Sequence, residues 1–236
     1  MRRMETNPLP DRADAAATMD AVMRWRKSVR AFRPDPVPRS QVEDILRAAS
    51  HAPSNSNTQP WQVHVLAGEP KRALSNAVEA AFHAGNVPPF AHFPEALPHE
   101  CAQRQDAFGA RYYTALGIER TDAPARARQV VRNFHFFDAP VGLIFTIDEK
   151  LHKHSWLDCG LFVQSVMLAA AARGVATCAQ VTFARFGPVI AQHLQLPAGR
   201  VVACGMSLGY PEAEAAVNRA GMPRETLERF AVFEGL

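Results

Sequence analysis

Residues 155–173, SWLDCGLFVQSVMLAAAAR, form a helical pattern that is apolar on almost every side. Leu157, Leu161, Phe162, Val163, Val166, Met167 and Leu168 wrap around it. A helix apolar all round must be buried all round. Ser155 with Asp158 supplies a start signal and Gly174 a stop. Two covers are open to such a helix: the core of its own domain, or a second copy of the chain. With 236 residues, 47% of them apolar and 21% charged, the chain is long enough for one sizeable core. Disordered, collagen-like and disulfide-scaffold classes are excluded by the same composition.

Charge and cysteine usage narrow the partners. Lys and Arg number 26 against 23 Asp and Glu, a net charge of +3 that is too small and dispersed for a nucleic-acid surface. Cys101, Cys159, Cys178 and Cys204 stand far apart with no CxxC pair, so zinc and dithiol motifs are not expected and free thiols fit a reducing compartment. The first 17 residues lack an apolar h-region, and no window approaches ~18 apolar residues in a row. The expected setting is the cytoplasm, without a membrane span.

Residues 1–17 are polar and read as a flexible extension, and 18–236 as a single mixed α/β domain with no repeats and no linker. A helix can start at Thr18 with Val22, Met23 and Trp25 turned inward. Pro34, Pro36 and Pro38 then forbid helix. Ser40 and Glu43 read as a capping box opening a helix with Val42, Ile45, Leu46 and Ala49 on its apolar stripe. Strands are predicted over 61–67, 140–148, 175–180 and 201–209. Helices are predicted over 69–84, about 100–116 and 122–134, and around 184–195, with a short one near 223–230. Residues 85–99, rich in Pro, His and Phe, read as a loop.

Three segments carry candidate chemistry. In Arg26-Lys27-Ser28-Val29-Arg30, alternate residues of an extended strip share a face, so Arg26, Ser28 and Arg30 can converge. Arginine forks and a hydroxyl suit a phosphate; alone, the motif reads more readily as a solvated basic turn. From Pro53 through Ser54, Asn55, Ser56, Asn57, Thr58 and Gln59 to Pro60, amide and hydroxyl side chains are bracketed by prolines. Such amides match a heteroaromatic edge that carries both donors and acceptors, while Asx turns in an ordinary loop explain them too. Cys178, Ala179 and Gln180 end a predicted strand, a common place for ligands, though on its own the segment reads sooner as a plain core strand with a buried thiol. The tail adds Asn218, Arg219 and Arg224. GxGxxG, GxxxxGK[ST] and HExxH are absent, so no dinucleotide fingerprint, P-loop or metal site is expected, and no serine elbow is expected either.

Taken in series, RKSVRAF, APSNSNTQPW, RNFHFFDAPVGLIF, SWLDCGLFVQSVMLAAAARGVATCAQ and SLGYP…VN…R resemble the nitroreductase family of flavin enzymes. RYYTALGIERTD and NFHFFDAP look most like its nitrobenzoate-reductase-like subgroup. The resemblance implies an α+β fold, with a mostly antiparallel central sheet flanked by helices, in an intertwined homodimer with FMN at the subunit interface. It also implies NADH or NADPH as reductant, small aromatic nitro compounds or quinones as acceptors, and ping-pong hydride transfer through flavin N5. By position, Arg26, Lys27, Ser28 and Arg30 match the segment holding the FMN phosphate, ribityl chain and pyrimidine edge. Pro53, Ser54, Asn55 and Asn57 match a loop from the other subunit, with Gln59 in the same motif. Cys178, Ala179 and Gln180 match the strand end beside N5 and O4, acting largely through backbone N–H groups, and Arg224 matches a tail arginine on the phosphate. No catalytic side chain is expected, because a flavin supplies the redox chemistry and the protein supplies binding and electrostatics. Dehalogenation, flavin fragmentation and FMN binding without turnover are the alternatives on this fold.

Overall fold

A computed structural model describes residues 11–85, 94 and 96–235. The first ten residues of the expected N-terminal extension, and most of the loop expected at 85–99, lie outside them. Gln62–Ala67 (β1), Val141–Asp148 (β2), Ala176–Gln180 (β3) and Arg200–Gly209 (β4) form a four-stranded sheet in the order β1-β2-β4-β3. Every neighbouring pair is antiparallel, with Val63 opposite Phe145, Leu143 opposite Met206 and Cys178 opposite Ser207. The two inner strands, β2 and β4, are covered on both faces. That explains why PVGLIFTID and VVACGMSLG read as near-continuous apolar runs instead of alternating patterns.

Helices cover both faces. Leu143, Phe145, Met206 and Leu208 pack under Arg39–Ala49 (α2) and Lys153–Ala171 (α6), through Val42, Ile45, Phe162 and Val166. Ile144 and Val202 face the other way. There they meet Gly68–His83 (α3), Ala123–Phe134 (α5) and Gly187–Leu194 (α7), through Leu74, Phe134 and Ile190. Phe136 and Phe183 stack at 4.5 Å on this second face. They lie so close to β2 and β4 that a Cβ at Gly142 would come within 2.7 Å of the Phe136 ring, and one at Gly205 would collide with Phe183. Phe136, Phe137 and Asp138 all adopt left-handed backbone, with φ of 55°, 51° and 66°. Such a turn is costly for L-residues, and the burial of both phenyl rings offsets that cost.

Several helix starts differ from the sequence reading. Arg12–Trp25 (α1) begins six residues before Thr18, because the Asp11 carboxylate accepts the Ala13 N–H at 3.0 Å. Met23 and Trp25 are 53% and 44% exposed and do not turn inward. Helix α2 begins at Arg39, and Glu43 takes the Arg39 guanidinium at 2.7 Å without closing a capping box with Ser40. Helix α6 begins at Lys153, with Ser155 already inside it. After β3 the chain makes a 3₁₀ segment, Val181–Phe186, before α7. The tail holds a short helix, Ala216–Arg219 (α8), and a 3₁₀ turn at Leu227–Arg229, in place of a helix over 223–230. The apolar wrap of α6 is only half covered: Phe162, Val166 and Ala170 are buried, while Leu157 and Leu161 stay 65% and 40% exposed.

Candidate active site

Strand β3 is an edge strand, and the basic segment seals part of that edge. Trp25 ends α1, Arg26 turns extended, and Ser28 pairs in parallel with Thr177 while the Val29 N–H donates to the Thr177 carbonyl at 3.0 Å. Val29 is buried, and Arg26, Ser28 and Arg30 are half-buried beside it, the alternation expected of an extended strip. The side chain of Asn218, from α8, locks the strip in place. Its Oδ1 accepts the Arg30 N–H at 2.9 Å, and its Nδ2 donates to the carbonyls of Ala31 and Glu212, each at 2.8 Å. The sequence offered Asn218 only as a polar residue in a tail; its function as a brace depends on contacts 187 and 188 positions away.

Beyond Thr177 no other segment pairs with this edge among the described residues. Strand hydrogen bonding alternates, so Ala179, like Thr177, directs its backbone N–H and C=O away from β4. The flanking side chains point inward. Cys178 is 2% exposed and Gln180 4%. Burial pushes the Cys178 thiol up, against the smaller pulls of Arg30 and Ser28, so it is held as the thiol and is not a nucleophile. The Gln180 amide donates to the Asn133 side chain and carbonyl, both at 2.6 Å, and accepts from Ser207 at 2.7 Å. The side chain is therefore fully committed, which leaves the backbone of this strand end for a ligand.

The cations here differ from several others in their partners. Arg33, Arg39, Arg47, Arg132 and Arg219 each meet a carboxylate. Among the described residues no carboxylate contact is found for Arg26, Lys27 or Arg30. The Arg30 guanidinium instead lies 5.2 Å from the Phe108 ring centre and 5.1 Å from that of Tyr112, both on His99–Ala115 (α4), and donates to the Ser28 carbonyl at 3.3 Å. Tyr112 accepts from Gln129 of α5 at 2.6 Å. These helices lay in a stretch where the sequence reading could place no contact. Guanidinium and ammonium groups with no carboxylate contact among the described residues, a serine hydroxyl and the outward-facing strand edge form a donor set that fits the phosphate and the acceptor-rich ring edge of FMN.

The structure does not bring every expected residue to this strip. Asn55, Asn57 and Gln59 are exposed, and Ser54 is half-buried. The loop is braced within itself: Ser54 Oγ accepts the Gln59 N–H at 3.0 Å, and the Gln59 amide donates to Asn57 Oδ1 at 3.0 Å. Ser56, Asn57 and Gln59 take left-handed backbone. The buried carboxylate of Asp158, expected to cap α6, instead accepts the Asn55 N–H at 3.1 Å and anchors the loop to α6. Arg224 is exposed and donates to the carbonyls of Met222 and Pro223. A cavity of about 140 Å³ is lined by Arg26, Lys27, Trp25, Met167 and Thr177, among others. That is small for a flavin, since ligand pockets usually span ~300–1,000 Å³. A second cleft, of about 490 Å³, is lined by Pro34, Lys71, Ser75, His135 and Asp138 and by none of the expected site residues. Among the described residues no cluster of His, Cys, Asp or Glu could hold a metal ion, and no helix is long and apolar enough to cross a membrane.

Comparison with known proteins agrees with this geometry. The chain is 49% identical over 216 residues to a 4-nitrobenzoate reductase of Pseudomonas putida, covering 92% of this chain and 95% of that protein. It is 42% identical over 218 residues to a chloronitrobenzene nitroreductase of Comamonas testosteroni, covering 91% and 96%. Its fold superposes with a TM-score of 0.89 on the FMN-dependent nitroreductase NfnB from Mycobacterium smegmatis in complex with NADPH, at 31% identity, covering 93% of this chain and 99% of that one. The model of the nitroreductase family matches residues 23–210. With the donor strip, the open β3 edge and the sheet all inside that span, the chain belongs to the nitroreductase family.

Proposed function

We propose that this protein is an FMN-dependent NAD(P)H oxidoreductase that reduces nitroaromatic or quinone-type acceptors, and that it works as a cytoplasmic homodimer. The observation that carries the reading is the strip of donors Arg26, Lys27, Ser28 and Arg30, its cations without a carboxylate contact among the described residues, lying against the edge of β3. The relatives' names, 4-nitrobenzoate reductase and chloronitrobenzene nitroreductase, support the acceptor class.

Residues 18–236 act as one FMN-binding unit. FMN supplies two-electron chemistry between NAD(P)H and the acceptor, in two half-reactions that share one pocket. The chain's part is to bind and orient. Arg26, Lys27 and Ser28 hold the phosphate, with Arg224 brought in by the tail. Arg30 sits at the pyrimidine edge. Cys178, Ala179 and Gln180 would line the N5 and O4 edge, with the Ala179 N–H, the one turned away from β4, as the donor; a fixed N–H there would favour the added negative charge of the reduced cofactor. Pro53, Ser54, Asn55, Asn57 and Gln59 come from the second subunit. The small size of the cavity within one chain, the bare Leu157–Leu161 face of α6 and the exposed Met19, Met23 and Trp25 on α1 all support a site completed by a partner.

The test is an anaerobic titration of purified, FMN-loaded protein with NADPH and NADH, followed by 4-nitrobenzoate. Bleaching of the flavin absorbance by a nicotinamide, and its return with the nitro compound, are expected. Flavin that binds but is never bleached would make the protein a carrier, and a chain that takes up no FMN would end the reading altogether.

A further inference from the structure

Arg30 is half-buried with no carboxylate contact among the described residues, yet its position is well defined. Its guanidinium lies almost equally far from two rings, Phe108 at 5.2 Å and Tyr112 at 5.1 Å. These residues are four apart on α4 and stack on each other at 5.5 Å with an interplanar angle of 12°. Tyr112 is 8% exposed, and Gln129, 6% exposed, donates to its hydroxyl. Tyr113 packs edge-on against Tyr112, and Arg126 of α5 stands 3.7 Å over the Tyr113 ring. The platform under Arg30 is therefore tied to two helices. Ring faces attract a cation without neutralising it, unlike a carboxylate. A guanidinium held this way keeps its full charge and most of its donors for another partner.

We propose that Tyr112 and Phe108 are positioning residues that hold the Arg30 cation at one place beside the cofactor, and so set how much more tightly the reduced than the oxidised FMN is bound. This rests on the placement of Arg30 at the pyrimidine edge. The reduced cofactor carries one more negative charge, so a fixed cation there favours it, and a wandering one favours it less. A carboxylate partner would cancel the effect; a ring pair preserves it.

Four single variants of the holoenzyme and one double variant test this by midpoint potential, measured against a reference dye, and by FMN affinity. Arg30→Ala should lower the potential. Tyr112→Leu and Phe108→Leu should lower it in the same direction, by a three- to ten-fold loss in the preference for reduced FMN, or about 15–30 mV for two electrons. Tyr112→Phe, which keeps the ring, should stay near the parent value. Adding Tyr112→Leu to Arg30→Ala should produce no further drop, since both act through one cation. An unmoved potential in Arg30→Ala would overturn the placement of Arg30 itself. A drop in Arg30→Ala with parent values in both leucine variants would overturn the positioning role alone. Phe108, 36% exposed, keeps the test available should Tyr112→Leu fail to fold.

Discussion

Arg26 and Arg39 have the same side chain and opposite prospects. Arg39 is 92% exposed and pairs with Glu43 one turn on, and such surface pairs contribute little. Arg26 is half-buried, meets no carboxylate among the described residues, and faces the proposed phosphate. Arg26→Ala should weaken FMN binding roughly ten- to a hundred-fold, the value of a charge-assisted bond of ~1.5–3 kcal/mol. Arg39→Ala should change it less than about two-fold. Flavin quenching titrations of both compare equal losses of charge, and equal dissociation constants would remove the phosphate assignment. Ser207 tests the network behind β3. It is fully buried and donates to Gln180, so Ser207→Ala strands a buried amide oxygen and should cost about 1–3 kcal/mol in urea unfolding. The buried thiols set an alkaline limit. Burial pushes Cys204 from 9.0 up to about 12 and Cys159 up to about 11. The native state thus keeps protons that the unfolded chain releases near pH 9. Their contribution is complete below that pH and is lost as pH climbs towards 11–12. Urea midpoints measured from pH 8 to 11 should fall, and fall less steeply in Cys204→Ala; parallel slopes would contradict the burial of that thiol.

Elements whose signals are local were legible in the sequence. Strands β2 and β4 were found to within a residue because continuous apolar runs between turn residues leave little choice, and α3, α4 and α5 because their stripes are long. The misread starts of α2 and α6 share one physical cause. Ser40 with Glu43, and Ser155 with Asp158, have the right spacing for caps, but each acid found a stronger partner: the Arg39 guanidinium in one case, the Asn55 N–H 103 positions away in the other. The donor strip was legible as residue types, whereas its braces, Asn218, Asn133 and Tyr112, were not. Their contacts are tertiary, and no periodicity encodes them. The sheet's second face adds a prediction at this scale. Gly142 and Gly205 leave the space into which Phe136 and Phe183 pack, so Gly142→Ala or Gly205→Ala should overpack it and cost about 1–3 kcal/mol. Thermal unfolding that matches the parent would show the stacked pair able to move aside.

In the proposed dimer, the bare side of α6 is where the second copy would pack. Leu157 and Leu161 are exposed in the single chain, so Leu157→Glu with Leu161→Glu leaves the monomer's own core intact while placing charge where a partner would pack. Light scattering should then report monomer, and FMN affinity should fall by roughly a hundred-fold, since unpaired charge in an apolar contact costs several kcal/mol. A double variant that stays dimeric and yellow would put the interface elsewhere. Shared sites of this kind make the second subunit and the flavin ligands of each other. By linkage, whatever factor dimerisation adds to FMN affinity, FMN must add to dimerisation. Cofactor retention then becomes a function of protein concentration. Dilution through the dimer's dissociation constant should release flavin with no change in chemistry, excess FMN should hold the two chains together, and the melting temperature should rise as the chain is concentrated.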